Sequence, residues 1–318
     1  MDRAMRTVAE AGILELGFFG GEPLLESTMI AHWMRYAGSR AAERRQRVRF
    51  SMTTNGTQVS RQAWEVMMAK DLELTLSFDA TPQAHDRHRR DVRGQATAGI
   101  VEATLRRLID SGKSPRVNVV VRPDNLEEIA GGLSYIHALG VRCVDLSLDL
   151  WTRWSPTDGS RLESCIEKSA AVWAQLLPEF SVNWFDAKIA GLTSLPESEA
   201  TSRCGFGVGE IAVAPSGNLY PCERLIGEDL PSSPSRLSGH ALDGGADFSS
   251  DPLSVGSCNA CSGCVLGSVC DTRCRCSNFV RTGNVNHPDG LLCLLNKATA
   301  RAAIAALTTN RLLLTSMN

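Results

Sequence analysis

Cysteine is spread unevenly along this chain, and its placement restricts the fold more than any other feature. Of eleven cysteines in 318 residues, Cys143 and Cys165 stand alone while nine lie between Cys204 and Cys293. The odd total argues against a closed disulfide framework, and in a reducing compartment dense cysteines serve more often as metal ligands. The order is Cys204-x12-Gly217-x4-Cys222, then Cys258-x2-Cys261-x2-Cys264-x5-Cys270-x3-Cys274-x-Cys276, then Cys293. Close pairs bring two thiolates of one turn to the same metal, and distant cysteines complete each tetrahedron. Spacing alone leaves structural zinc and iron–sulfur clusters both open. A ferredoxin-like run opens at Cys258 but fails at Ser268, where its next cysteine belongs.

The remaining composition is that of an ordinary folded protein, with 43% hydrophobic and 21% charged residues. Lys and Arg number 33 against 35 Asp and Glu, a net charge of -2, so a nucleic-acid partner held by global charge is not expected. No apolar run approaches the roughly 18 residues of a spanning helix, and no membrane partner is expected. The N-terminal MDRAMRTVAEAGILELGFF mixes charges into its apolar stretch and is not a signal peptide; a cytoplasmic location follows as an expectation.

Up to about Leu195, apolar runs alternate with helical periodicity. Candidate strands are Leu14–Phe19, Val48–Thr53, Glu73–Phe78, Val117–Arg122 and Val141–Leu148, with amphipathic stretches at Ser60–Lys70, Thr97–Ser111 and Asn125–Leu139. Gly112 and Gly140 read as helix stops. Such alternation implies βαβ units, and five strands favour a partial barrel over a full eight-stranded one. Beyond Leu195 the periodicity stops. Gly227–Ser257 reads as a long loop, and Leu294–Leu314 as a closing amphipathic helix.

The cysteine order resembles the signature of the SPASM domain, the auxiliary-cluster module of radical S-adenosylmethionine (SAM) enzymes. Matching positions are Cys204, Gly217, Cys222, Cys261, Cys264, Cys270, Cys274 and Cys293. The resemblance implies two auxiliary four-iron four-sulfur (4Fe–4S) clusters. Cys204, Cys222 and Cys274 would serve the first, and Cys261, Cys264, Cys270 and Cys293 the second. Cys258 is the candidate fourth ligand of the first cluster, and Cys276 is surplus. The tail CRCSNFVRTGNVNHPDGLLC resembles SPASM proteins acting on cysteine-rich or short ribosomal peptides.

Upstream, Gly20-Gly21-Glu22-Pro23 is similar to the family's GGEP turn, which meets the SAM amino group through backbone carbonyl and carboxylate oxygens. Thr54-Asn55-Gly56 matches its TNG, and Ser77-Phe78-Asp79 with His85, Asp86 and Arg89 matches S-L-D-G…H-D-x-x-R, Ala80 replacing the glycine. The resemblance implies SAM contacts at Gly20, Gly21, Glu22, Pro23, Asn55, Ser77 and Arg89. The bland alternatives are a strand-to-helix turn for GGEP, a turn-forming Asn55 and a surface Arg89. Glu223, directly after Cys222, resembles the general base of SPASM enzymes that dehydrogenate a side chain; its bland alternative is a solvated loop acid.

No C-x3-C-x2-C, the motif that holds the SAM-activating cluster in this family, occurs in the sequence. The expectation is therefore an α/β chain. A partial (β/α)6 radical SAM-type barrel lacking its first strand covers residues 1–195, and a SPASM auxiliary iron–sulfur domain with a C-terminal helix covers 196–318. The resemblance implies an oxidoreductase that matures a ribosomally made peptide with an external electron donor, SAM being expected only in a full-length form. A non-catalytic electron-transfer or peptide-binding protein and a zinc-stabilised interaction domain remain as alternatives.

Overall fold

The structure, a computed structural model, describes residues 1–193, 205–207, 209–243, 261, 263–267, 270 and 274–316, with side chains through 310. Six parallel strands form one sheet in sequence order: β1 Ile13–Phe18, β2 Arg47–Thr54, β3 Leu72–Ser77, β4 Arg116–Val121, β5 Cys143–Leu148 and β6 Ser181–Val182. Parallel neighbours need crossovers, and helices supply them. These are α2 (Ser27–Glu43), α3 (Arg61–Met67), α4 (Pro82–His88) with α5 (Ala98–Asp110), α6 (Ile129–Ala138) and α7 (Pro156–Leu176), α1 (Asp2–Thr7) preceding β1. All five expected strands are present within a residue or two. The sixth, β6, was not expected, because two residues leave no periodicity to read.

Alternation explains the sheet's core. In β4, Val117, Val119 and Val121 point inward while Arg116 and Asn118 are only half-buried, and β5 repeats the pattern with Val144, Leu146 and Leu148. Gly112 and Gly140 are left-handed, φ +81° and +97°, and end their helices as expected. A Ser155–Asp158 capping box starts α7.

After α8 (Asn183–Thr193), a two-stranded antiparallel hairpin joins β7 (Ala212–Val213) to β8 (Leu219–Tyr220). The described part of the expected loop, Gly227–Asp243, carries no strand or helix. The chain ends with α9 (Arg275–Thr282) and α10 (Gly290–Ser316). The closing helix starts four residues before the expected Leu294, where Asp289 Oδ1 accepts the Leu292 N–H at 2.9 Å. Helix α10 packs on α7 and α8, so Leu292, Ala298, Ala302 and Ala303 belong to the main core. Buried Lys188 Nζ donates to Asn296 Oδ1 at 2.6 Å and ties α8 to α10.

One expectation needs correction. Gly290–Asn310 reaches the length and mean hydropathy, 1.3, of a membrane-crossing segment. A helix lodged between two others carries apolar residues on more than one face, which accounts for that hydropathy.

Candidate SAM-type and thiol sites

The three motif turns all lie at the C-terminal ends of β1, β2 and β3, the end at which parallel α/β sheets place their sites. Glu22 fastens two of them together. Its Oε1 accepts the Leu24 N–H at 2.9 Å and the Thr54 hydroxyl at 2.7 Å, and its Oε2 accepts the Asn55 N–H at 2.7 Å. Pro23 opens the short 3₁₀ turn Pro23–Glu26 that leads into α2. No atom lies within 4 Å of where a Cβ would sit on Gly20 or Gly21, so the backbone here faces open space. Asn55 shapes the neighbouring turn: its Oδ1 accepts the Thr57 N–H at 2.9 Å and the Thr57 hydroxyl at 2.8 Å.

After β3 the motif residues are bound to one another. Arg89 Nε donates to Asp79 Oδ2 at 2.7 Å, and Asp79 Oδ1 accepts the Val120 N–H at 2.9 Å. The Asp79 N–H donates to His85 Nδ1 at 3.3 Å. The Thr97 hydroxyl donates to the Arg89 carbonyl at 2.8 Å, so at 3.0 Å it accepts from His85 Nε2. That chain of donors fixes one neutral tautomer. Burial, assisted by Arg89, lowers the His85 pKa to about 4. Asp86 Oδ1 accepts the N–H groups of Thr97 and Ala98 at 2.9 Å each, at the start of α5. His85, Asp86 and Arg89 therefore build the loop. Of the side chains expected to contact SAM, buried Ser77 alone makes no hydrogen bond among the described residues.

Ala80, standing where the family has glycine, is buried and left-handed at φ +61°. A Cβ added to Gly132 of α6 would lie 2.5 Å from the Ala80 Cβ. The methyl that the turn gained thus occupies space that the facing helix leaves empty.

In the cysteine-rich half, the hairpin delivers Cys222 and α9 delivers Cys274 and Cys276. Gly217 makes the hairpin possible: its φ is +90°, and a Cβ there would meet the His240 ring at 2.3 Å. Cys274 is the N-cap of α9 and Cys276 its second residue, so both thiols sit at the positive end of the helix dipole. Their sulfurs are 3.4 Å apart, and both pack with Cys222 in one buried cluster. Hydrogen bonding to Cys222 and burial push the Cys276 thiol up to about 11. Phe206, Leu225 and Val285 enclose these sulfurs.

Beside them, Cys222 Sγ donates to Glu223 Oε2 at 3.3 Å. Ligand atoms of Glu210, Cys222 and Glu223 all lie within 4.8 Å of one another. Glu210 was not expected from the sequence, where it belongs to no motif. Arg224 Nη1 donates to Ser277 Oγ at 3.1 Å, which itself contacts Cys274 Sγ at 3.1 Å.

No disulfide joins any of the nine described cysteines to another. Soft thiols gathered in an apolar enclosure without disulfides fit an iron–sulfur cluster. Cys261 and Cys264 are exposed on one turn, Cys270 is half-buried, and Cys293 lies in the first turn of α10; among the described residues no three cysteine sulfurs, of either expected set, come within 4.8 Å of one another. Cys204 and Cys258 lie outside the described residues.

No family model and no curated protein sequence matches the chain. Solved structures do. The structure of anSMEcpe with bound AdoMet and Kp18Cys peptide superposes with a TM-score of 0.75 at 17% identity, covering 96% of this chain and 87% of that one. The fold is that of the radical SAM SPASM enzymes. SuiB of Streptococcus suis bound to S-adenosylmethionine gives a TM-score of 0.57 at 14% identity, over 87% of this chain and 66% of that one. SuiB bound to its precursor peptide SuiA gives 0.59 at 15%, over 87% and 65%. The radical SAM SPASM fold thus spans both the sheet and the cysteine-rich half of the chain.

Proposed function

We propose that this chain is the SAM-binding and auxiliary-cluster part of a radical SAM oxidoreductase that matures a ribosomally made peptide or protein. The observation that carries the reading is the coincidence of two independent features. The fold follows anSMEcpe over 96% of the chain, and the three motif turns sit together at one end of its sheet. AdoMet and peptides are bound in those neighbours. The division into a barrel at 1–195 and an auxiliary-cluster domain at 196–318, and a cytoplasmic setting with an external electron donor, form part of the same proposal.

A reductively cleaved SAM supplies a radical that takes hydrogen from a substrate carbon. The chain's own residues bind and orient. Gly20 and Gly21 offer open backbone to an ammonium, the Ser77 hydroxyl suits a ribose, and Cys222, Cys274 and their partners would hold an auxiliary cluster, which would supply an electron acceptor. Glu223, with its carboxylate 3.3 Å from the Cys222 sulfur, would accept the proton that leaves the substrate with that electron. The presence of Glu210 within 4.8 Å gives the proton a second carboxylate to share.

Glu223→Gln tests the reading in a form that carries a C-x3-C-x2-C cluster. SAM cleavage should continue while peptide modification falls by at least tenfold. If both continue at parental rates, Glu223 is a bystander. This chain, reconstituted and reduced, should release no 5′-deoxyadenosine; release that survives loss of the auxiliary cysteines overturns the assignment of roles.

A further inference from the structure

We infer that Cys276, the cysteine outside the spacing pattern, is a ligand of the auxiliary cluster held by Cys222 and Cys274. This deepens the reading above and rests on it. By spacing, Cys276 is surplus and Cys258 completes the set. In the folded chain Cys276 Sγ lies 3.4 Å from Cys274 Sγ, and both pack with Cys222 in one buried cluster.

A structural thiol of the ordinary kind faces hydrocarbon, as Cys165 does in the main core. Cys276 instead faces the Cys274 sulfur in a cluster that also holds Cys222, and it is 3% exposed. Its position follows from local structure. As the second residue of α9 it turns inward, and Arg275 between it and Cys274 reaches toward the Phe206 ring, 5.2 Å from its centroid. Both sulfurs therefore leave the helix end on the same side, toward the hairpin that brings Cys222. The three sulfurs come from three positions on two elements, which is the ligand economy of a thiolate-held cluster. Concentrating thiolates in an apolar enclosure is unfavourable unless a cation joins them, and bound iron supplies that positive charge.

The test is anaerobic reconstitution of the full chain with iron and sulfide, followed by iron and zinc analysis and EPR of the reduced protein. The parent should carry about eight irons, as two four-iron clusters require. Cys276→Ala should lose about half of that iron and one EPR component, whereas Cys258→Ala should keep both. Cys276→Ser, which leaves an oxygen in place, should retain part of the iron with a shifted EPR signal. If Cys276→Ala folds and keeps the full iron load with the parental spectrum, the assignment is wrong. Should the Ala variant fail to fold, the Ser variant decides, and an unchanged signal overturns the assignment. A parent that takes up only zinc defeats the iron–sulfur reading of the whole half. Zinc lost on Cys276→Ala would still make Cys276 a ligand, so the two failures are distinguishable.

Discussion

In the sheet-bearing half, Leu76, Val117, Val144 and Phe185 have no exposed surface and pack into one continuous apolar core. The smaller core of the cysteine-rich half consists of Phe206, Cys222, Leu225, Cys276 and Val285. Two of those five residues are cysteines, with a third, Cys274, packed against them. The first core is complete as hydrocarbon, gaining roughly 25 cal/mol for each Å² of apolar surface buried. The second has few apolar side chains to bury and so depends on what its thiols bind. On the proposed reading, folding and loading would be separate events in one half and a single event in the other.

Chelation should break the molecule along that line. Removing iron from the loaded chain should abolish hydrogen-exchange protection across 275–293 while leaving 47–148 protected. All six tryptophans lie at or before Trp184, so tryptophan fluorescence reads the sheet-bearing half alone and should stay constant. A cooperative fluorescence change on chelation would show that the halves are one folding unit.

Acid should act the other way round, on the sheet-bearing half. Buried His85 has a pKa of about 4 against an ordinary 6.5. The unfolded chain therefore binds the extra proton between those values. The stabilisation is complete above pH 6.5 and drains away as pH falls toward 4, about 3 kcal/mol in all. Urea unfolding followed by tryptophan fluorescence should give that loss, and His85→Gln should flatten the profile.

The Ala80–Gly132 contact gives a somewhat smaller effect. Gly132→Ala places a methyl 2.5 Å from another and should cost about 2–3 kcal/mol. Because the same methyl would also meet the Ala80 Cα at 2.7 Å and its carbonyl carbon at 2.8 Å, adding Ala80→Gly should restore only a small part of it, as a double-mutant cycle would measure. The smallest expected effect is on metal. Cys143→Ala and Cys165→Ala should leave the iron content unchanged, since both residues belong to the sheet-bearing half. Iron loss in either variant would erase the distinction between the two halves.

What could be read from sequence follows the same division. The strands were legible because inward positions such as Val117, Val119 and Val121 alternate with polar ones. β6 was not, being two residues long. The start of α10 was readable in principle from Pro288-Asp289-Gly290, a helix-opening sequence overlooked in favour of the apolar spacing further on. In the cysteine-rich half, spacing identified the ligand pool but could not say which sulfurs meet. That depends on the phase of α9 and on a hairpin turned by Gly217, and neither leaves a periodic trace. Glu210 reaches Glu223 only because β7 and β8 fold back, so no linear pattern could have found it. The motif containing Arg89 did not reveal that its guanidinium pairs with Asp79, since that pairing depends on how the loop after β3 folds back.

The triple acceptance by Glu22 has a thermodynamic consequence for recognition. By fastening the loop after β1 to the end of β2, one carboxylate removes conformational freedom before any ligand arrives. Ordering a single residue costs about 1–2 kcal/mol, so a molecule docking here meets a surface whose ordering cost already falls within the folding free energy. Binding should accordingly show a small entropic penalty. Glu22→Ala would weaken the complex by enlarging that penalty, with little change in binding enthalpy.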